Sequence, residues 1–239
     1  MAQIEICLAS DSRYLTQNIR TVCAAGIDSI ELCSQMAQQG LSVSAEALRQ
    51  ARAACNSHTQ LRVMLRPRAG NFIYSLPEQQ QIQAQLLEAA KLGADGIVVG
   101  ALTADAQPDL SFLTGLLQQC HKLGLSCTFH RAFDAIHDQT QALDQLINLG
   151  VDRVLSAGTL WGSDLGVMHG LDRLLQLKIQ AAGRIELVVG GGVSLDNLAV
   201  VTNRLRPAGQ LWSVHSYSAV FSQGRVDPQK VAAMVRLCQ

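Results

Sequence analysis

The stretch KLGADGIVVGAL (91–102) joins a helical segment to a short apolar run through one glycine. Glycine tolerates the left-handed conformation that closes a helix, and the Ile- and Val-rich residues beyond it read as a buried strand. The same closure recurs as AAGID (24–28), HKLGLS (121–126) and NLGVDR (148–153). Four repeats of helix, glycine and strand point to a recurring βα unit.

Outward from that stretch, eight runs of strand type can be read: QIEICLA (3–9), SIELCS (29–34), LRVMLRP (61–67), GIVVGAL (96–102), LSCTFHR (125–131), RVLSAG (153–158), IELVVGGG (185–192) and LWSVHSY (211–217). Helical periodicity fills the intervals at about 12–25, 44–55, 77–92, 108–122, 137–149, 164–182, 194–204 and 227–238. Pro77 and Pro108 suit a first helical turn, and Ser194 is placed to cap the helix after the last glycine run. Eight units in 239 residues predict one α/β domain over 1–239, a (β/α)8 TIM barrel whose functional loops follow the strands. A doubly wound open sheet is the competing fold, but the first strand runs into ASDSRYL (9–15) without the glycine fingerprint of its first turn.

Nineteen Lys plus Arg balance nineteen Asp plus Glu, and neither sign gathers in a long run. That balance excludes the electrostatic footprint of a nucleic-acid or anionic-membrane binder, so small molecules, ions or other subunits are the expected partners. The start, MAQIEICLASDSR, has no basic region leading into a long apolar stretch, and no run reaches the roughly 18 apolar residues of a spanning helix. A cytoplasmic protein is expected. The seven cysteines (7, 23, 33, 55, 120, 127 and 238) are odd in number and form no Cys-x-x-Cys motif, which argues for free thiols.

Barrel interiors are filled mainly by branched apolar side chains, so the period-two alternation of each strand shows what departs from that rule. Ile4, Ile6 and Leu8 form the face that helices cover, which turns Glu5 and Cys7 inward. The same reasoning turns inward Glu31 and Cys33, then Met64, Arg66 and Arg68, then Thr128 and His130, then Ser156, and finally Ser213 and His215. Ionisable groups in such an interior are costly unless paired or used, which makes the mouth at the strand ends the candidate site. Ion pairs of Glu31 with Arg66, or of Glu5 with Arg66 or Arg68, are the purely structural alternative.

Three constellations carry chemistry. VVGGGVSLDN (188–197) ends the seventh strand in glycines and enters a helix, where backbone N–H groups of Gly191 and Gly192 would hold an anion; the alternative is a turn needing glycine for steric reasons. RPRAGNF (66–72) and TFHRAFD (128–134) offer Arg66, Arg68 and Arg131 as forks for carboxylate or phosphate, with Ser156 and His215 adding polar contacts. His130 would transfer protons with Glu31 or Glu5, and Asp134 would orient a group or cap a segment; alternation turns Arg131 toward the rim. The third is the thiol pair Cys7 and Cys33, which as thiolates suit Cu(I), with Met64 as an added thioether; small buried hydrophobes are the plain alternative.

The segments IEIC, GIDSIELCS, MLRPRAGNFIYS, GADGIVVGALT, TFHRAFD, DRVLSAG, GGGV and VHSYS together resemble the CutC copper homeostasis family, from the first strand to the eighth. The resemblance implies a cytoplasmic (β/α)8 barrel that forms a homo-oligomer, most simply a dimer, with Cys7 and Cys33 as Cu(I) ligands and no organic cofactor. It brings no established reaction. The chain departs from that pattern after His215, where SYSAVFSQGRVDP (216–228) carries Tyr217 in place of a small residue and omits a longer stretch. Two functions are therefore expected in parallel. One is copper handling through Cys7 and Cys33. The other is an enzyme on a small anionic or phosphorylated metabolite, using Glu31, His130 and Arg66 in catalysis and Arg66, Arg68, Ser156, Gly191, Gly192 and His215 in binding. A scaffold whose loops serve only an oligomer interface is the blander third reading.

Overall fold

The computed structural model describes residues 2–206 and 211–238; Met1, residues 207–210 and Gln239, which the expected 1–239 domain includes, lie outside the described residues. Eight parallel strands close into a barrel in chain order: β1 (Gln3–Ala9), β2 (Ser29–Cys33), β3 (Gln60–Met64), β4 (Gly96–Val99), β5 (Ser126–Phe129), β6 (Arg153–Ser156), β7 (Glu186–Val189) and β8 (Trp212–Ser216). They alternate with α1 (Leu15–Ala24), α2 (Ala45–Ala54), α3 (Leu76–Lys91), α4 (Leu110–Lys122), α5 (Gln139–Leu149), α6 (Val167–Ala181), α7 (Leu198–Leu205) and α8 (Pro228–Cys238). The expected (β/α)8 barrel is the observed fold, and the open sheet is not.

The closures that announce the repeat have the backbone they require. Gly93 after α3 has φ +81°, and Gly150 after α5 has φ +89°, a region that disfavours side chains. Helix starts are capped by Ser44 for α2, by a Ser75–Glu78 capping box for α3, and by Asp109 and Asp138 for α4 and α5. Pro77 lies in the first turn of α3 as expected. Pro108 instead precedes the Asp109 cap, and α7 starts four residues later than Ser194, because Ser194 closes a turn in which its own N–H donates to Asn197 Oδ1 (2.9 Å).

The outward strand faces, Ile4, Ile6, Leu8, Ile30, Leu32, Leu61 and Val63 among them, join the helices in one apolar core. A separate small cluster of Cys7, Cys33, Met64 and Val98 lies inside the barrel, with Met36 packed on it. Register fixes the offset of the two thiols: Cys7 pairs with Glu31 and Ala9 with Cys33, so both cysteines stand near the end of their strands. After β8 a 3-10 turn (Ser218–Val220) leads into a hairpin of β9 (Phe221–Ser222) and β10 (Arg225–Val226), which Asn18 of α1 anchors by accepting from Val226 N–H at 2.9 Å. Among the described residues no helix is long and apolar enough to cross a membrane.

Candidate functional site

The barrel interior holds a continuous ladder of polar groups. At its floor Arg153 donates to Glu5 Oε2 at 2.7 Å and lies 3.1 Å from Glu186, while Arg62 stands 3.8 Å from Glu5. Above them His215 Nδ1 contacts Glu5 Oε1 at 2.9 Å, and its Nε2 is 3.9 Å from Glu31 Oε1. Burial alone would push Glu5 up, but Arg153, His215 and Arg62 together outweigh it and hold the carboxylate well below its usual range. Burial likewise opposes charge on His215, yet Glu31, Cys7 and Glu5 raise it well above an ordinary imidazole, so the ring is a cation at neutral pH. Glu31 moves the other way: burial and then the nearby Glu5 raise it against the pull of His215.

This ladder corrects the expected ion pairs. Glu5 is matched by Arg153 and Arg62, not by Arg66 or Arg68, and Glu31 faces His215 rather than Arg66. The alternation contained the signal, since Arg62 precedes Met64 by two residues and Glu186 shares a face with Val188. In β6 the reading was one residue out of frame. Arg153 and Leu155 line the interior, whereas Ser156 turns outward and donates to Asp134 Oδ1 at 2.5 Å.

At the mouth the ladder ends in sulfur. Cys33 Sγ lies 3.2 Å from Glu31 Oε1 and 3.8 Å from Cys7 Sγ, and Cys7 Sγ lies 4.0 Å from Met36 Sδ. The contact with Cys7, then burial, then Glu31 push the Cys33 thiol well above its usual range, so it keeps its proton until something displaces it. Glu31 Oε2 is buried without a hydrogen-bond partner, which leaves a carboxylate beside the thiol ready to accept that proton. The two mouth sulfurs lie 3.8 Å apart, so both would ligate one ion. Met36 Sδ, 4.0 Å from Cys7 Sγ, adds a third soft donor, and the residues present therefore fit a soft monovalent ion. Met64, the thioether expected from sequence, packs in the same cluster; Met36, on the loop after β2, was missed.

Arg66 explains how that loop is held. Its Nη1 donates to the carbonyls of Gln38 (3.0 Å), Gln39 (3.2 Å) and Gly40 (3.1 Å), and its Nη2 to Gly70 (3.2 Å). Ser34 and Leu41 exchange backbone hydrogen bonds at the loop base, and Gly40 passes so close that a Cβ there would sit 3.3 Å from Cys33 Sγ. Arg66 is thus a positioning residue for the loop that carries Met36, and its guanidinium is not open as a fork for substrate.

The remaining expected residues divide. Arg68 is committed to Glu78 (2.5 Å) and to the carbonyls of Ala69, Asn71 and Ile73 on the rim. His130 lines the cavity, but its Nδ1 accepts from Ala132 N–H at 3.0 Å, and burial, then Arg66, lower it to about 3. Burial and Arg66 thus oppose protonation of the ring, and neither Glu31 nor Glu5 is among its hydrogen-bond partners. Gly191, with φ +83°, lies where a Cβ would meet Ala157 Cβ at 2.4 Å, so close packing requires that glycine. Gly192 accepts from Asn197 Nδ2 at 2.8 Å. Arg131, expected at the rim, lines the cavity instead; Asp134 accepts from its Nε at 2.7 Å, and Trp161 lies beneath its guanidinium at 5.2 Å. The whole cavity encloses about 160 Å³.

A family model described as the CutC family matches residues 2–216. The chain belongs to the CutC family. A CutC protein of Pasteurella multocida is 35% identical over 239 residues, covering 96% of this chain and 92% of its own. A CutC protein of Bacteroides thetaiotaomicron is 37% identical over 201 residues, 84% of this chain and 76% of that one. The solved CutC structure from Streptococcus agalactiae, a proposed copper homeostasis protein, superposes with a TM-score of 0.78 at 29% identity, covering 91% of this chain and 99% of that one. The turn and hairpin that follow Ser216, where the departure from the CutC pattern was read, lie outside the span of the family model. Membership supports a role of copper-homeostasis type.

Proposed function

We propose that this CutC-family chain takes part in copper homeostasis by binding Cu(I) at the barrel mouth, with Cys7 and Cys33 as thiolate ligands and Met36 as a thioether. The observation that carries the reading is the arrangement of three soft donors, with Cys7 Sγ 3.8 Å from Cys33 Sγ and 4.0 Å from Met36 Sδ. Ligation as thiolates would displace the protons of both thiols to solvent, the one on Cys33 by way of Glu31, whose Oε1 lies 3.2 Å from Cys33 Sγ. Seven reduced cysteines suit a reducing compartment, and we place the protein in the cytoplasm on that ground. X-ray absorption at the copper edge of anaerobically loaded protein tests the site. Two or three sulfur scatterers near 2.3 Å are expected; a first shell of nitrogen and oxygen would reject it.

A second reading, a small anionic metabolite held across the same mouth, is favoured by Arg131. Its Nε is fixed by Asp134 and its face by Trp161, the residue lines the cavity, and among the described residues no acceptor is hydrogen-bonded to its two terminal nitrogens. In this reading Arg131 replaces Arg68 and Ser156 as the anion contact, and Glu31 carries the proton. Thermal stabilisation of the metal-free protein by inorganic phosphate or a dicarboxylate, lost in Arg131→Gln, is the expected result; equal shifts in both proteins would refute it.

A further inference from the structure

The barrel carries a second sulfur pair, at the end from which the strands start. Cys23 is in the last turn of α1, and Cys55 follows the last residue of α2. Their sulfurs are 3.7 Å apart, as close as the pair at the mouth. The surroundings differ in every respect that governs thiol chemistry. Cys7 and Cys33 are each 1% exposed, whereas Cys55 is only half-buried and opens the second pair to solvent. The mouth pair has a carboxylate and a thioether beside it; among the described residues the second pair has no third His, Cys, Asp or Glu within ligand distance. Beside it Arg52 binds the carbonyls of Cys55 (3.5 Å) and Asn56 (2.9 Å) and pairs with Asp95 at 2.9 Å.

Those differences separate two fates for a dithiol. A soft metal ion would find a third donor, Met36, at the mouth and, among the described residues, no third His, Cys, Asp or Glu ligand at the second pair. A disulfide needs only the two sulfurs, access for an oxidant, and a thiolate to begin exchange. The sulfur contact with Cys55 outweighs burial and, with Asn56, Thr59 and Arg52, lowers the Cys23 thiol to about 6, which supplies the thiolate at neutral pH. The same contact and burial raise its partner Cys55, so the pair holds one thiolate and one thiol.

We infer that Cys23 and Cys55 form a reversible disulfide, and that they do so before Cys7 and Cys33 oxidise. The oxidant is a low-molecular-weight disulfide. The pair's thiolate attacks one of its sulfurs and expels one small thiolate; the second cysteine then attacks the mixed disulfide, forms the Cys23–Cys55 bond and expels the other. Two protein sulfurs are oxidised and one small disulfide is reduced to two thiols; the Cys55 proton ends on one leaving group, and the other takes its proton from solvent. The bond would tie α1 to the α2–β3 connection across 32 positions of chain and leave the mouth thiols reduced for the metal.

The test is equilibration of the full-length protein with glutathione buffers of graded ratio, followed by acid quench, alkylation and peptide mapping by mass. A linked Cys23–Cys55 peptide is expected at a glutathione disulfide fraction at least about tenfold lower than any Cys7–Cys33 link. Protein oxidised in this way should also unfold at a temperature several degrees higher (~5 °C) than reduced protein. Cys55→Ser should abolish both effects; if that variant does not fold, the map of the native chain decides alone. Both residues alkylated as free thiols across the series, a glutathione adduct at Cys55 without a link, or earlier oxidation at the mouth would each overturn the inference.

Discussion

Arg66 Nη1 donates to the carbonyl of Gly40 at 3.1 Å, and through this contact the segment after the third strand holds the loop that follows the second. The loop has no regular ladder of its own beyond the Ser34–Leu41 bridge, and Gln35 and Gln39 adopt left-handed backbone at φ 47° and 64°. A segment with such strain persists where neighbours over-determine it, and four carbonyl contacts to one buried guanidinium do so here. The outcome is a methionine fixed above two cysteines.

Replacing Arg66 by Met keeps most of the packing volume and removes the donors. We expect a loss of about 2–4 kcal/mol in chemical denaturation, and faster amide exchange at Leu41, which donates to Ser34 across the loop base. Unchanged exchange at Leu41 would show that the loop holds itself.

Met36→Leu removes the thioether and keeps the apolar volume. Cu(I) affinity should fall by about tenfold with little change in stability, whereas Met64→Leu should have a smaller effect on affinity. Equal losses from the two variants would remove Met36 from the ligand set.

Glu5→Gln leaves Arg153 with Glu186 alone as its carboxylate partner and takes from Arg62 and His215 the buried carboxylate they face. Breaking such a pair from one side costs about 3–5 kcal/mol, measured by urea denaturation. The same change should bring the His215 titration down toward its ordinary value, followed by NMR, because Glu5 is one of the groups that hold the ring charged.

The pH dependence of stability has a term of known sign from His130. Its folded-state value of about 3 lies below the ordinary 6.5, so the unfolded chain takes up the proton first. Stability from this group is complete above pH 6.5 and is lost as pH falls from there toward 3. His130→Asn retains an acceptor for the Ala132 N–H and has no proton to gain, so its denaturation midpoint should fall less steeply over that interval. Parallel curves for the two proteins would place the acid sensitivity elsewhere.

The barrel was legible because its signal is local and repeated. A glycine closing each of several helices, followed within a few residues by an apolar run, needs no long-range contact to be read. The inward face of β1 and β2 was equally legible, since strict alternation places Glu5, Cys7, Glu31 and Cys33 together. Errors began where a strand was short or ended early. In β6 four residues cannot fix the frame, and Ser156 was assigned to the wrong face while Arg153 was overlooked. Arg66 and Arg68 lie beyond the end of β3, where alternation no longer governs direction and carbonyl acceptors decide where a guanidinium goes. Met36 was illegible for the same reason: a loop brought it to the thiols, and Arg66, a residue of another strand's loop, set that path.

The central claim is that Cys7, Cys33 and Met36 form one Cu(I) site. Anaerobic competition titration against a chromogenic Cu(I) chelator, on the wild type and on Cys7→Ala, Cys33→Ala and the Cys23→Ala/Cys55→Ala double variant, tests it most directly. One tight ion per chain is expected in the wild type and the double variant, with affinity reduced by at least about a hundredfold in either mouth variant. Because ligation as thiolates releases protons to solvent, wild-type affinity should rise at least about tenfold per pH unit near neutrality. Affinities indistinguishable among wild type, Cys7→Ala and Cys33→Ala would contradict the account.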